Sequence, residues 1–240
     1  MPEEGIELIH HEDILSYEEL LKLCKASIKI GINNFKLTGG EPLVRLGLAE
    51  FVKSLKGLEG CKEVTLTTNG VLLKDQAPAL IEAGIDRINI SLDTMDREKY
   101  FNITRRDKLK DVLDGIDLLL ELGFQNLKIN SVPTKPVDKE DLIKLVSLAR
   151  DNPIDIRFIQ LMPIGLGDEN EGYSREEIKA LLDENFGSST PYLEKLGNGP
   201  AKYFSYEDLQ GKIGFIDAIH DKFCSECNRI RLSATGFLKL

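Results

Sequence analysis

The sequence predicts an α/β fold built on a parallel sheet, and three observations carry that prediction. First, "IGINNFKLTGG", "AGIDRINISLD" and "LGFQNLKINSV" each join a glycine to a short strand-like run. Glycine supplies the left-handed residue that closes a helix, so each copy reads as helix, cap, strand. Second, the intervening runs "GLAEFVKSLKGL", "KDQAPALIEA", "LKDVLDGIDLLLEL" and "KEDLIKLVSLAR" place apolar residues at helical spacing. Third, crossovers of that length suit parallel pairing and exclude tight hairpins. Strands are predicted near 35–38, 64–68, 87–92, 127–132 and 156–162.

In chain order, "SYEELLKLCKASIKI" comes first, with Ser16 as N-cap and Glu19 at the capping-box position. No strand precedes this helix, although a parallel crossover needs one at its start. Either the sheet begins with a helix or a strand belongs ahead of Met1. The strands that follow alternate in polarity. Lys36, Thr38 and Gly40 share a face, as do Thr65, Thr67 and Asn69; Asn89, Ser91 and Asp93; and Lys128 and Asn130. Leu37, Leu66, Ile88, Ile90, Leu127 and Ile129 fall on the other. Polar residues aligned towards the C-terminal ends of parallel strands describe a ligand cavity, or else the solvent-facing side of an open sheet.

After "IRFIQLMPIG" the pattern changes, and a boundary is placed near Ile164, giving a partial (β/α) barrel over 1–163 and a small subdomain over 164–240. The second part holds a helix from Ser174, with Glu177 closing a capping box. The turn-rich "LGNGPAKYFSYEDLQG", the strand-like "KIGFIDAI" and a cysteine-containing end follow.

At 240 residues and net charge −9, the chain has room for a substantial core and lacks the basic face of a nucleic-acid binder. No stretch approaches the length of a membrane span, and "MPEEGIELIHHEDI" is acidic where a targeting peptide would be basic. A cytoplasmic location is expected, with the four cysteines as free thiols or metal ligands.

Cys224 and Cys227 form a C-x-x-C pair, a spacing that lets two thiolates hold one metal or cluster iron, or else form a redox dithiol. Cys24 and Cys61 read as small buried hydrophobes. Arg229 and Arg231 lie on one face of an extended "NRIR", suited to phosphate or carboxylate groups, or to surface ion pairs. In "TGGEP", 38–42, two glycines permit close ligand approach or a tight structural turn. Lys128, in the polar row, suits an anion or a Schiff-base role.

The blocks "MPEEG", "KLTGGEPLVR", "TLTTNG", "INISLDT", "LKINSV", "FIQLMPIG" and "FCSECNRIRLSATG", in that order, resemble the GTP 3′,8-cyclases, the molybdenum cofactor biosynthesis protein A family of radical S-adenosylmethionine (SAM) enzymes. The resemblance implies a partial parallel (β/α) barrel of radical SAM type, two [4Fe-4S] clusters and SAM. It implies a reaction in which a 5′-deoxyadenosyl radical takes a hydrogen from the ribose of GTP and the sugar then closes onto guanine C8. By that resemblance, Gly40, Ser91 and Met162 contact SAM, while Lys36, Thr67, Lys128, Arg229, Ile230 and Arg231 contact GTP. Cys224 and Cys227 hold the second cluster. Lys36 stands where the family commonly has arginine, keeping the charge and losing the bidentate fork. A homodimer and, for the full-length enzyme, an electron donor are implied partners; nucleic acid and membrane are not.

The family holds its first cluster with C-x3-C-x2-C just before a "MPEEG"-like sequence, and its third second-cluster cysteine follows "G-x-L-x-x". Both positions fall outside these 240 residues. The chain is therefore expected to be a piece of a longer enzyme, lacking the first barrel strand, incapable of the reaction and prone to aggregate along its uncovered edge. Two other readings stay open at this point. One is a Schiff-base barrel lyase using Lys128; the other is a non-catalytic nucleotide or metal-binding protein without cluster sites.

Overall fold

In the computed structural model, which describes residues 9–135, 137–162, 172–217 and 228–239, helix α1 (Tyr17–Lys29) begins as its capping box dictates. Ser16 Oγ accepts from the Glu19 amide at 3.2 Å, and Glu19 Oε2 accepts from the Ser16 amide at 2.8 Å. Strand β1 (Asn34–Leu37), helix α2 (Leu48–Lys56) and strand β2 (Glu63–Thr68) follow. Then come α3 (Leu73–Glu82), β3 (Arg87–Ser91), α4 (Arg97–Thr104), α5 (Leu109–Glu121) and β4 (Leu127–Ser131). Helix α6 (Lys139–Ser147), β5 (Ile154–Ile159) and α7 (Arg175–Phe186) complete the alternation. Each predicted join is present: Gly31, Gly84 and Gly123 have φ of 91°, 86° and 72°, the left-handed geometry that ends the helix before β1, β3 and β4.

Short strands β6 (Thr190–Tyr192), β7 (Lys202–Ser205) and β8 (Ile213–Ile216) follow α7, and β9 (Arg231–Leu232) pairs with β10 (Leu238–Lys239) in a separate hairpin. The main sheet runs β1-β2-β3-β4-β5-β8-β7-β6. The first six are parallel in that order, and β7 and β6 add on antiparallel. Strand β1 stands at one edge among the described residues. Strand β8 sits directly against β5, so the sheet continues through the place where the sequence pattern changes.

Among the described residues, helix α4 and strands β6, β7 and β10 escape the sequence reading. Helix α4 carries no amphipathic stripe and is set by its Asp96 cap, whose carboxylate accepts from the Lys99 amide at 2.9 Å. Strands β6 and β7 are too short for alternation to register, and β7 lies within the run read as turns. Strand β5 ends at Ile159, short of the predicted 162.

The core lies between the apolar sheet face and the helices. Leu66, Ile88, Ile90, Leu127 and Ile129 pack against Leu55, Leu73, Leu80, Ile116 and Leu119, all buried. Helices α3 and α5 approach closely: a Cβ on Gly115 would lie 2.8 Å from Leu73 Cβ. Covering that face with helices leaves the other face to whatever the polar residues make of it.

Candidate functional site

Strand register gathers the polar positions into rows. Lys36 lies opposite Thr65, Thr65 opposite Arg87, and Thr67 opposite Asn89. Asn89 lies opposite Lys128, Ser91 opposite Asn130, Lys128 opposite Asp155, Asn130 opposite Arg157, and Arg157 opposite Gly214. Burial decides between the two readings of this face. Asn89 is 1 % exposed, Thr65 and Lys128 4 %, and Arg157 8 %, which no solvent-facing sheet would show. Across β2 to β5 the middle of the polar face is an interior surface, which opens at Lys36 on β1 and at Ser91 at the end of β3.

Buried polar groups must find partners, and here they bind one another. Arg157 Nη2 donates to Asn89 Oδ1 at 2.5 Å, and Asn89 Nδ2 donates to the Leu66 carbonyl at 2.9 Å and to Thr67 Oγ1 at 3.3 Å. Thr67 is thus held by the same amide that orients Arg157. Lys128 Nζ donates to Asp155 Oδ2 at 2.7 Å, to the Leu196 carbonyl at 3.0 Å and to Tyr203 Oη at 3.0 Å. All three ammonium protons are used, an arrangement unlike the free amine that a Schiff-base nucleophile requires. Gly214 makes room for this: a Cβ there would meet Tyr203 Cε1 at 2.8 Å and Arg157 Cγ at 3.1 Å.

Lys36 differs. Its side chain is open to the polar side of the sheet, yet the surrounding protein displaces bulk water, and that loss of hydration is the main reason its ammonium is pushed down to about 8. The positive charges of Arg157, Arg229 and Arg87 add to the depression, and Glu63 opposes it. Arg87 pairs with Glu63 at 2.5 Å. Burial likewise lowers Arg157, reinforced by Arg87 and opposed by Tyr203 and Asp155. Four cationic side chains from β1, β3, β5 and the segment before β9 therefore act on one region of an acidic protein.

The strand ends are organised separately. Glu41, just after Gly39 and Gly40, accepts from Thr68 Oγ1 at 2.6 Å and the Leu43 amide at 3.0 Å through Oε1, and from the Asn69 amide at 2.7 Å through Oε2. This carboxylate ties the end of β1 to the end of β2. A Cβ on Gly39 or Gly40 would meet no atom within 4 Å, so the turn borders open space. Ser91 is exposed at the end of β3, and beside it Asn130 Oδ1 is buried without a hydrogen-bond partner. Met162 is 44 % exposed beyond β5. A cavity of about 300 Å3 lies at the opposite, N-terminal end of the strands, lined by Arg87, Lys128, Asp155, Tyr192, Leu196 and Lys212 among others. Of the predicted site residues it shares Lys128 alone.

Arg229, Ile230 and Arg231 lead into the β9–β10 hairpin and are exposed. A Cβ on Gly199 would lie 3.4 Å from Arg229 Nη2, so the loop after β6 adjoins this segment. Cys224 and Cys227 lie outside the described residues. The sequence reading missed Arg157, Arg87 and Asp155. The signal was available: in "IDIRFI" Asp155 and Arg157 alternate with Ile154, Ile156 and Phe158, which places both on the polar face.

This fold and this site have known counterparts. Residues 5–149 match the radical SAM superfamily model and residues 154–240 the molybdenum cofactor synthesis C model. The chain covers 71 % of itself and 40 % of Streptococcus suis SuiB bound to S-adenosylmethionine, at a TM-score of 0.57 and 19 % identity. A domain of the pyruvate-formate lyase-activating enzyme from Bacteroides vulgatus superposes at 0.51 and 17 % identity, over 62 % of this chain and 89 % of that domain. The chain is a radical SAM protein by fold and by sequence. It is 41 % identical over 239 residues to a GTP 3′,8-cyclase of Clostridium perfringens and 38 % over 242 residues to one of Pelotomaculum thermopropionicum, covering all of itself and 74 % of each. It belongs to the GTP 3′,8-cyclase family of molybdenum cofactor biosynthesis.

Membership implies SAM and [4Fe-4S] clusters. The strand ends fit SAM: a glycine turn bordering open space, an exposed Ser91 hydroxyl and an orphaned acceptor on Asn130 suit a ligand bearing amino and hydroxyl donors. The described residues do not fit a cluster. No group of three His, Cys, Asp or Glu among them could hold a metal. Burial pushes the Cys24 thiol up to about 11 and raises that of Cys61, the reverse of what a thiolate ligand needs.

Proposed function

We propose that the polar face binds GTP as the substrate of a 3′,8-cyclisation, with Lys36, Thr67, Lys128, Arg229, Ile230 and Arg231 at the nucleotide, joined by Arg157. The observation that carries this reading is that Arg157, Arg229 and Arg87 all act on Lys36 and, after lost hydration, add to the lowering of its ammonium, with Glu63 opposing them. Three arginines against one carboxylate around Lys36 leave a positive field suited to a triphosphate. Lys128 serves this site by fixing the interior through Asp155, Leu196 and Tyr203. Gly40, Ser91 and Met162, with Asn130, would hold SAM at the strand ends. SAM supplies the hydrogen-abstracting radical when it is reduced; the residues here bind, orient and exclude water.

Cys224 and Cys227 are assigned to the second cluster within the same reading. A homodimer, an external electron donor and a cytoplasmic location belong to it as well. Among the described residues no helix is long and apolar enough to cross a membrane. The change of pattern near Ile164 is read as the start of a substrate and cluster subdomain.

Calorimetric titration with GTP, repeated on Arg157→Met and with ATP as competitor, tests the nucleotide reading. Saturable, salt-sensitive binding of GTP that Arg157→Met weakens at least about tenfold is expected, as for loss of a charged hydrogen-bonding partner. No binding, or equal binding by the variant, would overturn it.

A further inference from the structure

The segment carrying Arg229, Ile230 and Arg231 continues into a two-stranded hairpin of its own, paired through Leu238 with Leu232 and Lys239 with Arg231. An isolated hairpin of two residues per strand is too small to hold a fixed position in water. Its attachment to the rest of the chain therefore determines where those arginines stand. The Leu15 amide donates to the Ala234 carbonyl at 2.9 Å, and a Cβ on Gly236 would touch the Leu15 side chain at 3.7 Å. The other side of the same residue is held too: Arg45 Nη2 donates to the Leu15 carbonyl at 2.6 Å.

Arg45 is itself well fixed. Its guanidinium lies 4.0 Å above the Tyr17 ring, and Tyr17 stacks on Phe51 with centroids 4.5 Å apart and planes 15° apart. A planar cation on an aromatic face keeps its hydrogen-bonding edge aimed sideways, here at the loop before α1. Arg45 also closes the one-turn helix that follows the glycine turn, its amide donating to the Pro42 carbonyl at 3.2 Å.

We infer that Arg45 is a positioning residue, which holds the β9–β10 hairpin through the main chain of Leu15 and so places Arg229 against the polar face. The chain of contacts runs Phe51, Tyr17, Arg45, Leu15, Ala234, with no step through a nucleotide. Its consequence for affinity rests on the nucleotide reading above; its structural content does not.

Hydrogen exchange measured segment by segment, with calorimetric titration of GTP, tests it on the unmutated chain, Arg45→Met and Arg45→Lys. Methionine keeps apolar cover over Tyr17 and loses the bond to Leu15; lysine keeps a donor and recovers part of it. In Arg45→Met, exchange over 230–239 should rise about tenfold while β2 to β5 stay protected, with GTP affinity falling by a similar factor. Arg45→Lys should lie between. Unchanged exchange in the hairpin overturns the inference, as does acceleration spread evenly over the sheet, or a loosened hairpin with unchanged GTP affinity. A hairpin that loosens in a chain whose unmutated form does not bind GTP supports the attachment and sinks the nucleotide reading instead.

Discussion

Arg157 on β5 reaches past β4 to Asn89 on β3, its Nη2 donating to Asn89 Oδ1 at 2.5 Å. The amide's other end donates to Leu66 and Thr67, so its orientation is fixed from both sides. Arg157 Nε has no hydrogen-bond partner in the structure, which leaves this guanidinium more dependent on Asn89. Replacing Asn89 by leucine keeps the bulk and removes the acceptor. The stability lost should be about 2 kcal/mol, because a buried cationic donor loses one partner and keeps Tyr203. Urea unfolding monitored by circular dichroism checks this; a midpoint unchanged to within about 0.5 kcal/mol would show that water replaces the amide without loss.

Glu41 makes a second test of paired polar groups. Its two oxygens accept from three donors at the ends of β1 and β2. Glutamine has one acceptor oxygen and would turn its NH2 towards either the Asn69 amide or the Thr68 and Leu43 donors. Glu41→Gln should therefore lower stability by about 1–2 kcal/mol despite its similar shape. It should also weaken SAM binding, since the neighbouring Gly39–Gly40 turn loses its anchor. Thermal melting and equilibrium dialysis with labelled SAM measure the two effects, and a variant indistinguishable from the unmutated chain in both would show that the anchor is dispensable.

Much of this was legible beforehand, and the limits have physical causes. Alternation placed Lys36, Thr67, Ser91 and Lys128 on one face, and the register aligns them as that parity requires. Parity says which face a residue occupies but not what covers it. Whether the face was wet or buried depended on Tyr203 and on the 194–199 loop, supplied from distant parts of the chain. Arg157 was overlooked because its strand reads as an apolar run in which one arginine between Ile156 and Phe158 looks incidental. The three-proton engagement of Lys128 depended on Leu196 and Tyr203, 68 and 75 residues away, which no local pattern encodes. The helix caps at Ser16 and Ser174 were legible because both partners lie within three residues.

Gly211 allows the turn before β8 to pass over the start of β5. Its amide donates to the Ala149 carbonyl at 3.0 Å, and a Cβ at this position would lie 1.8 Å from the Ile154 carbonyl oxygen. That neighbour is backbone and cannot swing aside, so β8 would have to shift away from β5. Gly211→Ala should destabilise by about 3 kcal/mol or more, in the range of overpacking that moves backbone. Gly123→Ala is the useful comparison. It has open space around the added carbon and strain only from its left-handed φ of 72°, so it should lose about 1 kcal/mol. Equal melting temperatures for the two variants would mean that the β5–β8 approach tolerates more movement than its geometry implies.

Lys36 gives the site a pH dependence whose direction follows from its surroundings. In the unfolded chain its ammonium has the ordinary value near 10.5, and in the folded chain it is pushed down to about 8 by lost hydration and three neighbouring arginines. Below 8 both states carry the proton and the folded chain bears the full electrostatic penalty. Between about 8 and 10.5 the folded chain gives up the proton while the unfolded chain keeps it, so this group makes stability rise with pH across that window. Anion binding should go the other way. A triphosphate favours the charged ammonium, so GTP affinity should fall as pH rises through about 8, with proton uptake on binding near that pH. Titration calorimetry in two buffers of different ionisation enthalpy reads the uptake directly. In Lys36→Arg the guanidinium stays charged throughout, so the uptake should vanish and the affinity should become flat between pH 7 and 9 by about a factor of two or better. Proton uptake that persists undiminished in Lys36→Arg would assign the titration to another group and remove Lys36 from the nucleotide's surroundings.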